Sequence, residues 1–156
     1  MKAQHPTERG EAPAVLLLEN IHPVAAEGFR AGGAFRVETM AGALSEDELV
    51  DKLGGVQLLG IRSKTRITDR VLAAAPELIA VGCFCIGTDQ VDMNAATRRG
   101  IAVFNAPFSN TRSVAELTIA EVIMLARRAA QRSMELHLGR WQKSAVGCME
   151  VRHKTI

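Results

Sequence analysis

Residues 62–66 read Arg-Ser-Lys-Thr-Arg. Three cations and two hydroxyls in five positions suit a phosphate or a carboxylate, because arginine offers a planar fork of donors and serine a directional one. A solvated basic loop is the other reading of the same run. A second polar cluster lies at 105–113, where Asn105, Ser109, Asn110, Thr111, Arg112 and Ser113 crowd around an Asn-Ala-Pro turn. A loop that only connects two elements needs turn residues, not this density of hydrogen-bonding side chains. Between the two, "CFCIGTDQ" (83–90) sets Gly87 ahead of Asp89. Backbone could approach a ligand at that glycine, and amides leading into a helix at Asp89 could hold a carboxylate. A tight strand-to-helix turn explains the same residues equally well.

Other chemistries find no support in the residue pattern. "GVQLLG" (55–60) precedes a strand and lacks the middle glycine of a dinucleotide-binding turn, and there is neither a P-loop nor an H-E-x-x-H motif. His5, His22, His137 and His153 have no carboxylate or nucleophile partner in their sequence context and read as surface groups. Cys83 and Cys85 would share one side of a strand, which is not a zinc spacing, so no metal site is expected. With Cys148 they make an odd count that reads as structural thiols in a reduced, cytoplasmic protein.

These loops need elements to position them, and the apolar pattern supplies a repeating one. Strands are expected at 14–19, 56–61, 78–84 and 101–104, each a short, largely apolar run, and at 35–40, where apolar and polar residues alternate as in a half-covered strand. Helices lie between them. One follows Pro23 and ends at Gly32 and Gly33, and one opens with the Ser45/Glu48 capping box. A third covers 68–75, and a fourth runs from an Asp89 N-cap to Gly100. Parallel neighbours need helical crossovers, so five strands separated by single helices predict a doubly wound α/β domain with a parallel five-stranded sheet. The flavodoxin-like order 2-1-3-4-5 is expected, with ligands beyond the carboxyl ends of the strands. The three polar loops then follow strands three, four and five on one edge.

After residue 110 the pattern changes. Ser113 with Glu116 suggests a second capping box and a helix over 113–131, apolar on more than one face through Val114, Leu117, Ile119, Val122, Ile123, Met124 and Leu125. Such a helix packs against another domain or another subunit. A further helix is expected over 133–144, carrying Trp141, and the last residues look like the start of a strand. Residues 1–110 carry 11 basic and 13 acidic side chains, against 8 and 4 in 111–156, which puts a modest basic surface on the second part. The overall net charge of +2 is too small to argue for a nucleic-acid partner. "LTIAEVIMLA" (117–126) is interrupted by Glu121 and too short to span a bilayer, so no membrane partner is expected.

The runs "LLGIRSKTRIT", "AVGCFCIGTDQVDMNAATRRGIAVFNAPFSNTRSVAEL" and "HLGRWQKS" resemble the D-isomer-specific 2-hydroxyacid dehydrogenases, and among them the phosphoglycerate dehydrogenases of serine biosynthesis. The resemblance covers about residues 14–156. It implies an NAD-dependent enzyme acting on a phosphorylated 2-hydroxy acid, with Arg62 and Ser63 contacting the phosphate and carboxylate region of the substrate and Asn110 a further contact. The polar, charged N-terminus reads as a disordered leader (1–12); the resemblance implies a substrate-binding domain (13–110) and a linker helix with the start of a Rossmann-type NAD-binding domain (111–156). Helix 113–131 would then serve a homo-oligomer. The family's Gly-rich turn and its catalytic arginine, carboxylate and histidine have no counterpart in these residues, so no catalytic or cofactor-binding residue is assigned and the chain alone is expected to be inactive. Another 2-hydroxyacid dehydrogenase is the near alternative. A stand-alone anion-binding or regulatory domain is the alternative from another class, while a flavin carrier is disfavoured by the scarcity of aromatic residues.

Overall fold

Four-residue strands, the three central ones holding buried residues and the two edge ones more exposed, form the centre of the computed structural model, which describes residues 12–33 and 35–155. The leader expected over 1–12 therefore falls almost wholly outside the described residues, as do His5 and Ile156. The strands are β1 (Ala14–Leu17), β2 (Arg36–Thr39), β3 (Leu58–Ile61), β4 (Ala80–Cys83) and β5 (Ala102–Asn105). They make one parallel sheet in the order β2-β1-β3-β4-β5, as the alternation of elements predicts. Register sets Val15 beside Leu58, Leu58 beside Ala80 and Ala80 beside Ala102, so every strand ends at the same edge.

The crossovers are α1 (Pro23–Ala31), α2 (Glu46–Lys52), α3 (Asp69–Ala74) and α4 (Met93–Arg98). Each starts where a side chain satisfies an otherwise unpaired amide. Ser45 and Glu48 form the expected capping box, with the Glu48 amide 3.4 Å from Ser45 Oγ and the Ser45 amide 2.7 Å from Glu48 Oε2. Thr68 accepts from the Val71 amide. At α1 the cap is His22, whose Nδ1 accepts from the Val24 amide at 3.2 Å.

The fourth helix corrects the sequence reading. It begins at Met93 with Asp92 as its cap, not at Asp89. Residues 89–92 cannot join the helix because their backbone is paired elsewhere. The Ile67 amide donates to the Gln90 carbonyl and the Asp92 amide to the Ile67 carbonyl, both at 2.8 Å, in an isolated bridge between Ile67 and Val91.

Leu16, Leu18, Leu49, Leu59, Val71, Leu72, Val81 and Ala95 belong to the larger core cluster. A smaller one joins Val15, Leu17 and Ala26 to Phe29 and Phe35, whose rings meet edge to face with centroids 5.6 Å apart. Gly60 makes that smaller cluster possible. A Cβ there would lie 2.6 Å from Leu17 Cδ2 and 3.1 Å from Phe84.

The chain divides into two compact units, the first ending at Ser109 and the second beginning at Asn110. In the second, the helix expected over 113–131 is two helices, α5 (Thr111–Ala126) and α6 (Ala129–His137). Arg128 between them is left-handed, with φ 53°. The break is stabilised by chain that folds back on it: the Ala126 carbonyl accepts from the Met149 amide at 2.8 Å, and the Arg127 carbonyl from Cys148 Sγ at 3.3 Å. The Ser113/Glu116 capping box does not form, because α5 starts at Thr111 and Ser113 is already helical. Trp141 is outside α6, not within it. Gly139, with φ 74°, ends that helix in a turn where the Arg140 amide reaches the Glu135 carbonyl at 2.8 Å and the Gly139 amide the Leu136 carbonyl at 2.9 Å. Residues 151–155 form no strand. No residue of α5 is buried. Among the described residues no helix is long and apolar enough to cross a membrane.

Candidate functional site

At the carboxyl edge of the sheet, the chain leaves β1 through two successive left-handed residues, Glu19 (φ 60°) and Asn20 (φ 52°). Side chains rarely adopt this conformation, so it persists only where neighbours over-determine it. Here the Glu19 amide donates to the Gly42 carbonyl at 3.1 Å, and the Asn20 amide to the Met40 carbonyl at 3.4 Å. The turn drives the Glu19 carboxylate beneath the loop that follows β3. Oε1 accepts from the amides of Arg62 (3.1 Å) and Thr65 (2.9 Å), and Oε2 from the amide of Lys64 (3.0 Å).

Glu19 is only 7% exposed and Thr65 is fully buried. Burial by itself would raise the carboxyl's pKa. The Thr65 hydroxyl beside it and the three amides outweigh that and hold it below the ordinary glutamate value. The hydroxyl acts through proximity, since Thr65 Oγ1 completes no well-formed hydrogen bond.

The loop after β4 braces the same segment, and the end of β5 in turn braces that loop. Buried Gln90 donates from Nε2 to the Arg62 carbonyl at 2.8 Å and also lies 3.2 Å from Cys85 Sγ. Asn105 donates from Nδ2 to the Ile86 carbonyl at 2.6 Å, and the Ala106 amide reaches the Cys85 carbonyl at 3.0 Å. The polar side chains at Gln90 and Asn105 thus hold loop to loop. Burial, with Cys85 and Asp89 nearby, pushes the Cys83 thiol up to about 11, which leaves it a protonated core group.

The resulting concavity of about 390 Å³ is walled by Glu19, Asn20, Ala41, Gly42, Ala43, Arg62, Ser63 and Lys64. A neighbouring cavity of about 850 Å³ has an apolar floor with His22, Arg30 and Arg62 on its walls. Arg62 lines both. The first cavity groups two cations and a hydroxyl over an amide-clamped turn, residue types whose chemistry suits an anion. Nothing within it is arranged to take a proton from carbon or oxygen, since its one carboxylate is engaged by three amides. Among the described residues no group of three or more His, Cys, Asp or Glu could hold a metal ion.

Of the residues singled out from sequence, Arg62 and Ser63 stand together in this cavity. Asn110 is in the second unit, where its carbonyl accepts from the Val114 amide at 2.9 Å and its side chain makes no capping bond. The walls come from the loops after β1, β2 and β3, with the loop after β4 and the end of β5 as braces. The space beside Gly87 is taken by Asp89 Oδ1, 2.6 Å from where a Cβ would sit. Neither Glu19 nor Gln90 stands out in the sequence: "LLLEN" places an acid at the end of an apolar strand, but nothing local points it at residues 62–65.

Comparison with known proteins agrees with this architecture. Residues 15–146 match the D-isomer specific 2-hydroxyacid dehydrogenase, catalytic domain, and the chain belongs to that family. Its relatives include D-3-phosphoglycerate dehydrogenase 1 of Saccharomyces cerevisiae, 56% identical over 142 residues (91% of this chain, 30% of that protein). D-3-phosphoglycerate dehydrogenase of Dictyostelium discoideum is 50% identical over 142 residues (91% of this chain, 35% of that protein). The chain therefore spans about a third of the length of the curated relatives it matches. Among solved structures, D-lactate dehydrogenase from Aquifex aeolicus, complexed with NAD and lactic acid, shares the fold with a TM-score of 0.71 at 22% identity, covering 88% of this chain and 41% of that one.

Proposed function

We propose that the chain is the substrate-binding part of an NAD-dependent D-3-phosphoglycerate dehydrogenase, which in its whole form oxidises 3-phospho-D-glycerate at C2 to 3-phosphooxypyruvate for serine biosynthesis. The observation that carries this reading is the amide-clamped basic turn at 62–65, found in a chain about half identical to enzymes of that name. Residues 13–110 form the substrate-binding domain, and 111–156 the linker helix and the start of the nucleotide domain. Arg62 receives an anionic group of the substrate through its guanidinium fork, Ser63 adds a directional hydroxyl, and Asn110 supplies a further contact.

NAD, when bound, supplies the redox chemistry. The described residues do not fit it. Each helix of the first unit has an N-terminal amide engaged by its own cap, and the chain has no Gly-rich turn between a strand and a helix to cradle a pyrophosphate. The contribution of these residues is to bind and orient. The apolar side chains of α5 fit a homo-oligomeric interface, with Leu117 60% and Leu125 69% exposed. A cytoplasmic location fits three cysteines that remain free thiols.

The test is a titration of the chain with 3-phospho-D-glycerate, followed by amide chemical shifts. Saturable shifts at residues 62–65, absent with D-lactate and lost in Arg62→Ala, are expected. Equal response to both acids would refute the assignment of a phosphorylated substrate.

A further inference from the structure

A buried carboxylate beside a run of cations ordinarily draws one of them into an ion pair, because burying an unpaired charge is costly. Glu19 does not. Its two oxygens are taken by the backbone amides of Arg62, Lys64 and Thr65. Among the described residues, none of Arg62, Lys64 and Arg66 engages in a salt bridge with any acid. The charge is thus satisfied without using a guanidinium or an ammonium. The peptide groups of Arg62 are also held from both sides: its amide by Glu19 and its carbonyl by Gln90.

We propose that Glu19 is the positioning residue of the anion-binding turn: its carboxylate fixes the backbone of residues 62–65 and leaves the side chains of Arg62, Ser63 and Lys64 free for the ligand. The inference rests on the reading of that turn as the substrate's anion site. Its physical logic is preorganisation. A basic turn held only by its side chains would collapse onto the nearest acid, and a ligand would first have to displace that contact. A turn held through its amides presents its cations already oriented, and binding then loses less conformational freedom. The left-handed pair Glu19 and Asn20 fits this role, since strained backbone is retained where a function fixes it.

The effect differs from that of Arg62, and two readouts on the same variants separate them. In Glu19→Gln the amide oxygen can still accept from Arg62 and Thr65, whereas the new NH₂ meets the Lys64 amide donor to donor. Hydrogen exchange should accelerate most at Lys64, by at least about tenfold, and affinity for 3-phospho-D-glycerate should fall about tenfold, the scale of one good hydrogen bond. Arg62→Ala should lose affinity with exchange at Lys64 and Thr65 unchanged. Glu19→Asp keeps the charge but reaches one methylene less far, and should show intermediate losses in both readouts. It decides the matter if the Gln variant does not fold. If both Glu19 variants bind as tightly as the parent while Arg62→Ala binds weakly, the positioning role is overturned and the anion site stands. If Arg62→Ala also binds normally, both fall together.

Discussion

Replacing Glu19 by Gln changes one carboxylate oxygen into an amide nitrogen, and the hydrogen bonds around it predict how much stability that costs and at which pH. The carboxylate of this largely buried residue accepts from three amides at 2.9–3.1 Å. A bond to a charged group contributes about 1.5–3 kcal/mol, and an orphaned buried donor costs about 1–3 kcal/mol. Gln would weaken two of these bonds and orphan the third donor, so a loss of about 2–4 kcal/mol at neutral pH is expected. For a chain of this size that is a fall in Tm of roughly 4–16 °C. The pH dependence follows from the lowered carboxyl pKa. A group more acidic folded than unfolded adds stability that is fully present above its unfolded value, here 4.5, and lost as pH falls through the folded one. The gap between parent and variant in urea denaturation should therefore be wide at pH 7, narrow below 4.5, and close once Glu19 is protonated in the folded state. A gap of the same width at pH 7 and at pH 3 would refute the electrostatic account, and a gap under about 0.5 kcal/mol at pH 7 would refute the clamp itself.

Three further outcomes follow from other parts of the molecule. In the whole enzyme, Arg62→Ala should raise KM about 10- to 150-fold with little change in kcat, because a charge-assisted contact on a non-reacting group binds ground and transition states alike; Arg62→Lys should restore only part of the affinity, and unchanged KM in both would remove Arg62 from the site. The chain should self-associate through the exposed apolar residues of α5, and Leu117→Glu with Leu125→Glu should return it to a monomer; a monomeric parent at high concentration in light scattering would contradict this. Gly60→Ala should cost about 1–3 kcal/mol in chemical denaturation, since the added methyl would press on Leu17 and Phe84 from 2.6 and 3.1 Å; parental stability would mean that both side chains can give way freely.

Much of this protein can be read along the chain, because its signals are local. Short apolar runs separated by capped helices leave a parallel sheet as the arrangement that buries both faces; among the doubly wound orders, 2-1-3-4-5 is settled by the strand pairing. The Ser45/Glu48 box and the Arg-Ser-Lys-Thr-Arg turn are likewise local: the first is complete within four residues, and the second shows its charge wherever it is placed. What tertiary structure decides are the contacts that join residues far apart. Asp89 has the makings of a helix cap, yet the pairing of Ile67 with Val91 holds the chain extended until Asp92. The long helix expected after Ser113 breaks at Arg128 because Met149 and Cys148 return to its open carbonyls. Glu19 reads as an ordinary polar residue at a strand end, and it becomes the support of the basic turn only because β1 and β3 are neighbours in the sheet. That adjacency brings its carboxylate under amides more than forty positions away, a relation that no local pattern of residues records.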